Sequence, residues 1–446
     1  MLAAWLAEHR VDHVHAGAAD HLGIWRGKRM PAAAAVAAAE GHGVAFSEGV
    51  FGLDIAGGWV EPAADHEGWY PSAGEGYPDV FVRLLPETAT VAPWLDGEAW
   101  VLGSWHLPGG DPVPVDPRAC LARVLDALAR HGLRLRCGLE FELYLLAEPV
   151  EALAARGFEA PRPIHHRAYP YHALRSAVDL PLLATIATGL ADAGVAVEAL
   201  SFENGVGQLE LNIRYDEALR AADSAFMAKQ AVRAIAARNG MTATFMAKPQ
   251  ASEPGSSCHV HLSLWSPDGS TNAFASGPAG ELGELAAQCL GGLLATLPAA
   301  TAFCLPNANS YARLVPDALA PVRCDWAAEN RAVALRTITA PRGISRIEHR
   351  LPGADVNSYL ALAAFAAGIL AGIEEDLRPP PSGSTPPPAI PATPGEAAAA
   401  LMADSRLTER LGTSIATLQA LMLRAEAEAA RTRVSADDRA RYLELA

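Results

Sequence analysis

Two glutamates spaced two residues apart are the first sign of chemistry in this sequence. Glu140 and Glu142 stand in a β-like segment, residues 138–144, whose intervening positions are apolar. Side chains alternate between the two faces of a strand, so both carboxylates lie on one face. Such close carboxylates repel each other unless a cation lies between them. The pair indicates a metal site, although one such segment alone is more often the solvent-facing side of an antiparallel strand.

Three further segments repeat this arrangement of charged residues on one strand face. Their aligned faces carry Gln208, Glu210, Asn212 and Arg214; His259, His261 and Ser263; and Arg346, Glu348 and Arg350. Ordinary exposed strands mix Lys, Thr and Ser, whereas these faces concentrate Glu, His and Arg and contain no lysine. Together with Glu203 they supply enough oxygen and nitrogen ligands for two hard divalent ions. Arginines beside such a site suit a substrate that carries phosphates or carboxylates.

The motifs that would indicate other chemistry are missing from the sequence. No GxxxxGK[ST] sequence is present, so ATP, if it binds, is held by metal and arginine rather than by a glycine-rich loop. No Ser-His-Asp or Cys-His pattern is evident either. The residues therefore point to metal-assisted chemistry on a phosphorylated or carboxylated substrate.

Composition narrows the class of protein and of partner. The 446-residue chain is half apolar and has a net charge of −15, which argues against nucleic acid or an anionic membrane as a partner. Six cysteines without CxxC spacing fit a reducing cytoplasm. The N-terminus lacks the pattern of a signal peptide, and the longest apolar run, residues 359–373, is shorter than a membrane span. We predict a cytoplasmic protein with that run as a buried helix.

Proline-rich stretches predict the organisation of the chain. Residues 107–114 read as a hinge before an amphipathic helix that begins near Pro117, which predicts two domains, 1–110 and 111–446. A second such stretch, residues 378–394, predicts a surface loop with no core of its own. A helical region rich in Ala, Glu and Arg follows it.

In order along the chain, these segments resemble the motifs of the glutamine synthetase family. Residues 138–142 resemble its G-x-E-x-E metal-binding strand and residues 202–210 its second acidic motif. The remaining matches are the ATP-site signature at 244–249 and 255–264 and the later motifs at 309–314, 329–331 with Arg336, and 346–350. The resemblance extends to the closing residues 439–443. Each motif alone is weak, but six in order make a strong match.

The resemblance implies a role for each matching residue. One metal ion falls to Glu142, Glu203 and Glu210, and another, which bridges the ATP phosphates, to Glu140, His259 and Glu348. Two to three Mg²⁺ or Mn²⁺ ions per site are implied. ATP would contact His261, Ser263, Arg336 and Arg346. Glutamate and the transferring phosphoryl group would be held by Arg313, Arg331, Arg350 and Gly255, with Arg331 and Arg313 as the catalytic residues.

The resemblance also implies a fold, an assembly and a reaction. The expected fold is α+β, with an N-terminal β-grasp domain and a catalytic domain built on a curved antiparallel sheet with flanking helices. The expected assembly is a dodecamer of two hexameric rings, with each active site between neighbouring subunits. In the expected reaction, ATP converts the side-chain carboxylate of glutamate to γ-glutamyl phosphate, and an amine then displaces phosphate.

Three positions depart from ammonia-using glutamine synthetases. Gly52 stands where those enzymes carry an ammonium-binding aspartate, Leu319 where their active-site flap carries a glutamate, and Pro254 where an asparagine precedes Gly-Ser. These substitutions resemble the γ-glutamyl-amine ligase branch, which acts on polyamines, ethanolamine or other monoamines. Alternatively, Asp54 or Asp317 takes over the missing acidic role.

Other functions remain open from the sequence. The chain could be an ammonia-using glutamine synthetase, a ligase for an acid other than glutamate, or a non-catalytic family member with a structural or nitrogen-sensing role. All six matched metal ligands are present, which favours catalysis.

Overall fold

We analysed a computed structural model of the chain. It describes residues 1–63, 66–275, 282–316, 319–339, 345–383, 387–435, 438, 439, 441 and 443. Helices and two separate sheets share these residues, which confirms the predicted α+β class.

The first sheet lies in the N-terminal quarter of the chain. Its strands are β1 (His13–Ala19), β2 (Trp25–Pro31), β3 (Val44–Ser47), β4 (Asp79–Leu84), β5 (Thr90–Val91) and β6 (Ala99–His106), in the order β2-β1-β6-β4-β3, with β5 paired to β6. The central pair, β1 and β6, is parallel, and antiparallel strands flank it. Helices α1 (Leu2–Glu8) and α2 (Ala32–Glu40) accompany it. This arrangement is that of a β-grasp.

The second sheet carries the charged strand faces. Its strands are β7 (Arg134–Leu146), β8 (Val197–Phe202), β9 (Gln208–Glu217), β10 (Thr242–Thr244), β11 (Cys258–Trp265), β12 (Trp326–Ala328), β13 (Leu335–Ile338) and β14 (Arg346–His349). The order is β12-β13-β14-β11-β7-β9-β8, with β10 on β7, and every pair except β12–β13 is antiparallel. The sheet is curved, as expected. The predicted domain boundary at residue 110 lies between the two sheets.

Helices accompany the second sheet and fill the C-terminal part. They are α3 (Pro117–Arg130), α4 (Val150–Ala154), α5 (Ala173–Val178), α6 (Leu180–Asp192), α7 (Ala218–Arg238), α8 (Glu284–Cys304), α9 (Ala308–Tyr311), α10 (Ser358–Glu374), α11 (Pro394–Ala403), α12 (Ser405–Leu411) and α13 (Thr413–Thr432). The predicted helix start at Pro117 is confirmed. Asp116 caps it by accepting hydrogen bonds from the backbone N–H groups of Arg118 and Ala119.

Two apolar helices cross closely in the core. The predicted buried run forms α10, as expected, and α8 packs along it. A Cβ at Gly292 would lie 2.1 Å from the carbonyl oxygen of Gly368, so only glycine permits this approach. Helix α8, which the sequence analysis did not single out, has 21 residues and is apolar enough to cross a membrane. However, 67% of its most apolar window is buried inside the protein, as in a core helix.

The second proline-rich stretch differs from the prediction of a loop without a core. Ile390 is only 4% exposed. Its N–H donates to the carbonyl of Val322, and the carbonyl of Pro388 accepts from Cys324. These contacts fasten the stretch to the chain just before β12, because its backbone supplies hydrogen-bonding groups that a pattern of prolines does not reveal. Residues 384–386 lie outside the described part.

Candidate active site

Strand register brings the predicted metal ligands together around β7. Glu140 lies opposite His259 on β11 and opposite Asn212 on β9, while Glu142 lies directly opposite Glu210 on β9. Directly opposed side chains on one face have Cβ atoms about 5 Å apart. The register therefore turns a row of acids on one strand into a cluster that spans three strands.

Strand β14 is the fourth strand that contributes side chains to the cluster. Glu348 lies opposite His261 on β11 and opposite Arg336 on β13. Its carboxylate pairs with Nη1 of Arg336 at 3.0 Å. Nδ1 of His259 lies 3.5 Å from Oε2 of Glu140 and 3.9 Å from Oε1 of Glu348, and Nε2 of His261 lies 2.9 Å from Oε1 of Glu140.

Two sets of ligand atoms are close enough to hold a metal ion. One set comprises Glu140, Glu210 and His259, the other Glu140, His261 and Glu348, and within each set the atoms lie within 4.8 Å of one another. Four of the six predicted metal ligands thus belong to these sets. His261, which the resemblance assigns to ATP, joins the second.

The other two predicted ligands stand at the edge of the cluster. Oε2 of Glu142 accepts a hydrogen bond from the backbone N–H of Ser257 at 2.6 Å. Oε2 of Glu203 accepts from Asn204, and its buried Oε1 lies beside Tyr171. Several buried carboxylates close together are costly without an opposite charge. A cation would remove that cost, so these residues fit a divalent metal ion.

The electrostatics of the cluster agree with a cation site. Burial raises the pKa of Glu210, and the negative charges of Glu140 and Glu203 raise it further. Burial and the charge of Glu142 likewise raise the pKa of Glu203. Burial disfavours the charged form of Glu140, but its contacts with His259 and His261 outweigh burial and lower its pKa. A divalent ion would favour the charged form of all of them.

Three residues predicted to hold glutamate lie at the same edge. Arg313 is 3% exposed and donates from Nη1 to Oγ of Ser257 at 2.9 Å and from Nη2 to the carbonyl of Leu351. A Cβ at Gly255 would lie 2.3 Å from Cγ of Arg313, so the absence of a side chain at Gly255 leaves room for the side chain of Arg313. Arg350 is 5% exposed and pairs with Glu348. Arg313 thus lies behind Ser257, which also binds Glu142.

Two further predicted arginines lie close together in sequence: Arg331 in the connection between β12 and β13, and Arg336 on β13. Arg336 is held between Glu348 and Glu329, with Nη2 2.7 Å from Oε2 of Glu329. Arg331 is exposed. The positive charge of Arg331 opposes the rise in the pKa of Tyr171, so the two side chains lie near each other.

A cavity of about 530 Å³ adjoins the cluster at β11. His261, Ser263 and Arg346, three of the four residues predicted to contact ATP, line it together with Glu140. Arg346 donates from Nε to Nδ1 of His261 at 3.0 Å. The aromatic side of the cavity is formed by Tyr215 and Trp265, whose rings stack with centroids 6.2 Å apart. Phosphate-binding groups at one end and aromatic rings at the other suit a nucleotide.

Tyr171 is a residue of the site that the sequence analysis missed. Its backbone N–H donates to the carbonyl of Phe202, the residue before Glu203, and its side chain is 72% exposed. Burial of its hydroxyl and the charge of Glu203 raise its pKa to about 12. It lies in an irregular segment, where no periodicity in the sequence indicates which side chain faces the site.

The departures from the ammonia-using pattern have structural correlates. Gly52 is buried at the end of a 3₁₀ turn (Glu48–Gly52), and a Cβ there would lie 2.4 Å from Cζ3 of Trp59. An indole ring therefore fills the space over Gly52. Leu319, by contrast, is 61% exposed and has a positive φ of 57°.

Of the two alternative acids, Asp54 lies within the described residues. Oδ1 of Asp54 accepts hydrogen bonds from the backbone N–H groups of Ala56 and Gly58, so this carboxylate stabilises the loop in which it lies. Asp317 lies outside the described residues. The carbonyl of Pro254, the third departure, accepts a hydrogen bond from the hydroxyl of Tyr144.

Known proteins are similar to this chain in sequence and in fold. Residues 114–442 match the glutamine synthetase catalytic-domain family. A glutamate–isopropylamine ligase of a Pseudomonas species is 36% identical over 378 residues, 84% of this chain and 81% of that protein. The γ-glutamylethanolamide synthetase GlnA4 of Streptomyces coelicolor is 35% identical over 379 residues, 85% of this chain and 80% of that one.

The fold comparison extends over the whole chain. The structure of a GmaS/ADP complex superposes with a TM-score of 0.84 at 28% identity and covers 99% of both chains. With the catalytic-domain match and the relatives above, this establishes that the chain belongs to the glutamine synthetase family, in its γ-glutamyl-amine ligase branch.

Proposed function

We propose that this protein is an ATP-dependent carbon–nitrogen ligase that joins the side-chain carboxylate of glutamate to an organic amine. The observation that carries the proposal is the strand register that clusters Glu140, Glu210, His259 and Glu348 beside a nucleotide-sized cavity. A carboxylate is a poor acylating agent because oxide is a poor leaving group. Transfer of the γ-phosphoryl group of ATP gives γ-glutamyl phosphate, and the amine then displaces phosphate.

The residues of the cluster have distinct tasks in this proposal. Mg²⁺ or Mn²⁺, two to three ions per site, would be held by Glu142, Glu203 and Glu210 and by Glu140, His259 and Glu348. Bound there, these ions would neutralise charge on the ATP phosphates. His261, Ser263, Arg336 and Arg346 would position ATP. Arg313, Arg350 and Gly255 would hold the acid, and Arg331 and Arg313 would stabilise the transferring phosphoryl group.

Tyr171 is the group best placed to contact the organic part of the amine. It is an exposed aromatic residue beside Glu203. The alkyl segment of an amine can pack on its ring. The packing of Trp59 over Gly52 supports an amine other than ammonia, because an aspartate there has no room.

The assembly and the location of the protein follow from the family resemblance. We propose a cytoplasmic dodecamer of two hexameric rings, in which a neighbouring subunit completes each site. Within one chain, Gly52 packs on Trp59 beside the first sheet, whereas the acidic cluster lies on the second. That separation supports a role for Gly52 at the neighbour's site.

An amine panel tests the proposal. Phosphate release is measured with saturating ATP, Mg²⁺ and glutamate, and with ammonium, isopropylamine, ethanolamine, putrescine and spermidine at equal concentrations. We expect at least one organic amine to give much faster turnover than ammonium. If ammonium is the best acceptor, the protein is a glutamine synthetase. If no acceptor gives turnover, the result favours the hypothesis of a non-catalytic family member. Replacing glutamate by aspartate in the same assay checks the choice of acid.

A further inference from the structure

A second cavity, of about 520 Å³, is lined by none of the side chains to which a role with metal, ATP or glutamate was given above, although residues 244–246 of the segment that resembles the ATP-site signature line it. It lies between the turn that joins β1 to β2, the middle of α7 and the C-terminal end of α13. Its wall includes residues 307–309 and Phe245. Its lining shares no residue with the nucleotide cavity.

Two cationic side chains of α7 face this cavity one helical turn apart. Lys229 is 7% exposed, and its Nζ donates to the carbonyls of Ala354 and Val356 at 2.7 and 3.0 Å. Burial lowers the pKa of Lys229 to about 7, and the positive charge of Arg233 contributes to the lowering. Like charges at this spacing destabilise a helix. An anion in the cavity would offset the repulsion.

Arg233 is the group best placed to bind that anion. Its side chain remains accessible through the cavity, and its guanidinium lies 5.1 Å from the ring centre of Phe245. In the described part of the chain, no carboxylate forms an ion pair with it. Because Arg233 is exposed and has no such partner among the described residues, its guanidinium is available to an anion that enters the cavity.

The two acids in the wall of the cavity form hydrogen bonds with other protein groups. Oδ2 of Asp355 accepts hydrogen bonds from Nδ2 of Asn307 and Oγ of Ser310. Its Oδ1 is buried without a hydrogen-bond partner among the described residues, and its negative charge favours the charged form of Lys229. Oε2 of Glu426 accepts from the backbone N–H of Ala308. Neither acid pairs with Arg233.

The other residues that line the cavity determine which kind of ligand would fit it. Ile55 and Met246 line the cavity and keep 53% and 43% of their surface exposed, and Trp25 and Leu22 stand beside them. Exposed apolar side chains around a cation suit a molecule with one anionic group and a short apolar or aromatic portion. A planar guanidinium binds a carboxylate in bidentate fashion.

From these contacts we propose that the α7 cavity is a binding site for a small apolar carboxylate, whose carboxylate pairs with Arg233 and whose body packs against Ile55 and Met246. The site is distinct from the active site and goes beyond the proposed ligase activity. Its wall at residues 307–309 lies a few residues before Arg313, and Asn309 exchanges two hydrogen bonds with the backbone of Lys248. An occupant would thus contact the segments that lead to the acid-binding residues.

The test is titration of benzoate into the full-length protein by isothermal calorimetry, with benzamide and inorganic phosphate as comparison probes. We expect saturable binding of benzoate at up to tens of millimolar and no binding of the neutral amide. Arg233→Gln should weaken benzoate binding at least about tenfold, the loss expected for a charged hydrogen-bonded pair. The matched control is Arg238→Gln, an exposed arginine of the same helix that pairs with Asp96, and it should leave binding unchanged.

Three outcomes would overturn the proposal. One is the absence of saturable benzoate binding to the wild-type protein. A second is binding that survives Arg233→Gln but is lost in Arg350→Gln, which would place the carboxylate at the predicted glutamate position. The third is tighter binding of phosphate than of benzoate, which would remove the role of the apolar wall. The circular dichroism spectrum of each variant verifies that it is folded.

Discussion

Glu142 and Glu210 stand directly opposite each other across the β7–β9 ladder, two carboxylates paired where a sheet normally places opposite charges or apolar groups. Like charges directly opposed destabilise a strand pair. Burial raises the pKa of Glu210, and the negative charges of Glu140 and Glu203 raise it further. The pair is therefore poised to bind a cation, and this relationship leads to the first prediction.

Glu210→Gln should separate metal binding from stability. Removing one charge of the pair should raise the thermal midpoint in EDTA, because the repulsion disappears, and should abolish most of the further rise that Mg²⁺ gives to the wild type. Turnover should fall about 100-fold or more. Differential scanning fluorimetry and the phosphate-release assay measure these effects. Glu217→Gln, on the same strand but paired with Arg136, is the control; an intact Mg²⁺ response in Glu210→Gln would contradict the assignment.

Gly52→Ala should destabilise the protein. The new Cβ would lie 2.4 Å from Cζ3 of Trp59, and overpacking of this kind costs about 1–3 kcal/mol. Gly49→Ala, in the same 3₁₀ turn, is a matched control, because its nearest contact would be 3.3 Å from Oγ of Ser47.

The cause can be isolated by a second substitution. In a Trp59→Leu background, Gly52→Ala should cost much less than in the wild type, as a double-mutant cycle of chemical denaturation would measure. Equal costs in the two backgrounds would show that the indole is not the obstacle.

Arg346→Gln should weaken nucleotide binding with little effect on glutamate. Arg346 lines the cavity beside His261 and donates a hydrogen bond to that ring. Loss of one charged hydrogen bond to a phosphate corresponds to about a tenfold rise in the KM for ATP. Initial rates at varied ATP and at varied glutamate separate the two effects. Arg134→Gln, an exposed arginine at the start of β7, should change neither KM, and a rise confined to the KM for glutamate would move Arg346 out of the nucleotide site.

Stability should fall in mild acid because of His21. The ring is 3% exposed, both its nitrogens lack hydrogen-bond partners among the described residues, and burial lowers its pKa to about 4. An unfolded histidine titrates near 6.5, so between pH 6.5 and 4 the unfolded chain binds more protons. The free energy of unfolding therefore falls as pH falls through that window, by up to about 3 kcal/mol from this group.

Two variants check the assignment to His21. His21→Leu should flatten the decrease of the unfolding midpoint between pH 6.5 and 4, whereas replacement of the exposed His42 by leucine should leave its slope as in the wild type. The same steepness in His21→Leu would assign the acid sensitivity to other groups.

The sequence by itself determined which side chains share a strand face, where the helix at Pro117 begins, that residues 359–373 form a buried helix, and the α+β class. Those properties depend on a period of two or 3.6 residues and on capping groups, which are local. The order of motifs along the chain was likewise enough to indicate the family.

Only the tertiary structure decided how the faces meet. No local pattern states that Glu142 lies opposite Glu210, or that His259 lies opposite Glu140, because strand register depends on partners 60 to 120 residues away in sequence. The position of Trp59 over Gly52 could not be predicted for the same reason. A glycine in a sequence suggests open space, but tertiary packing decides whether a neighbour such as Trp59 fills that space.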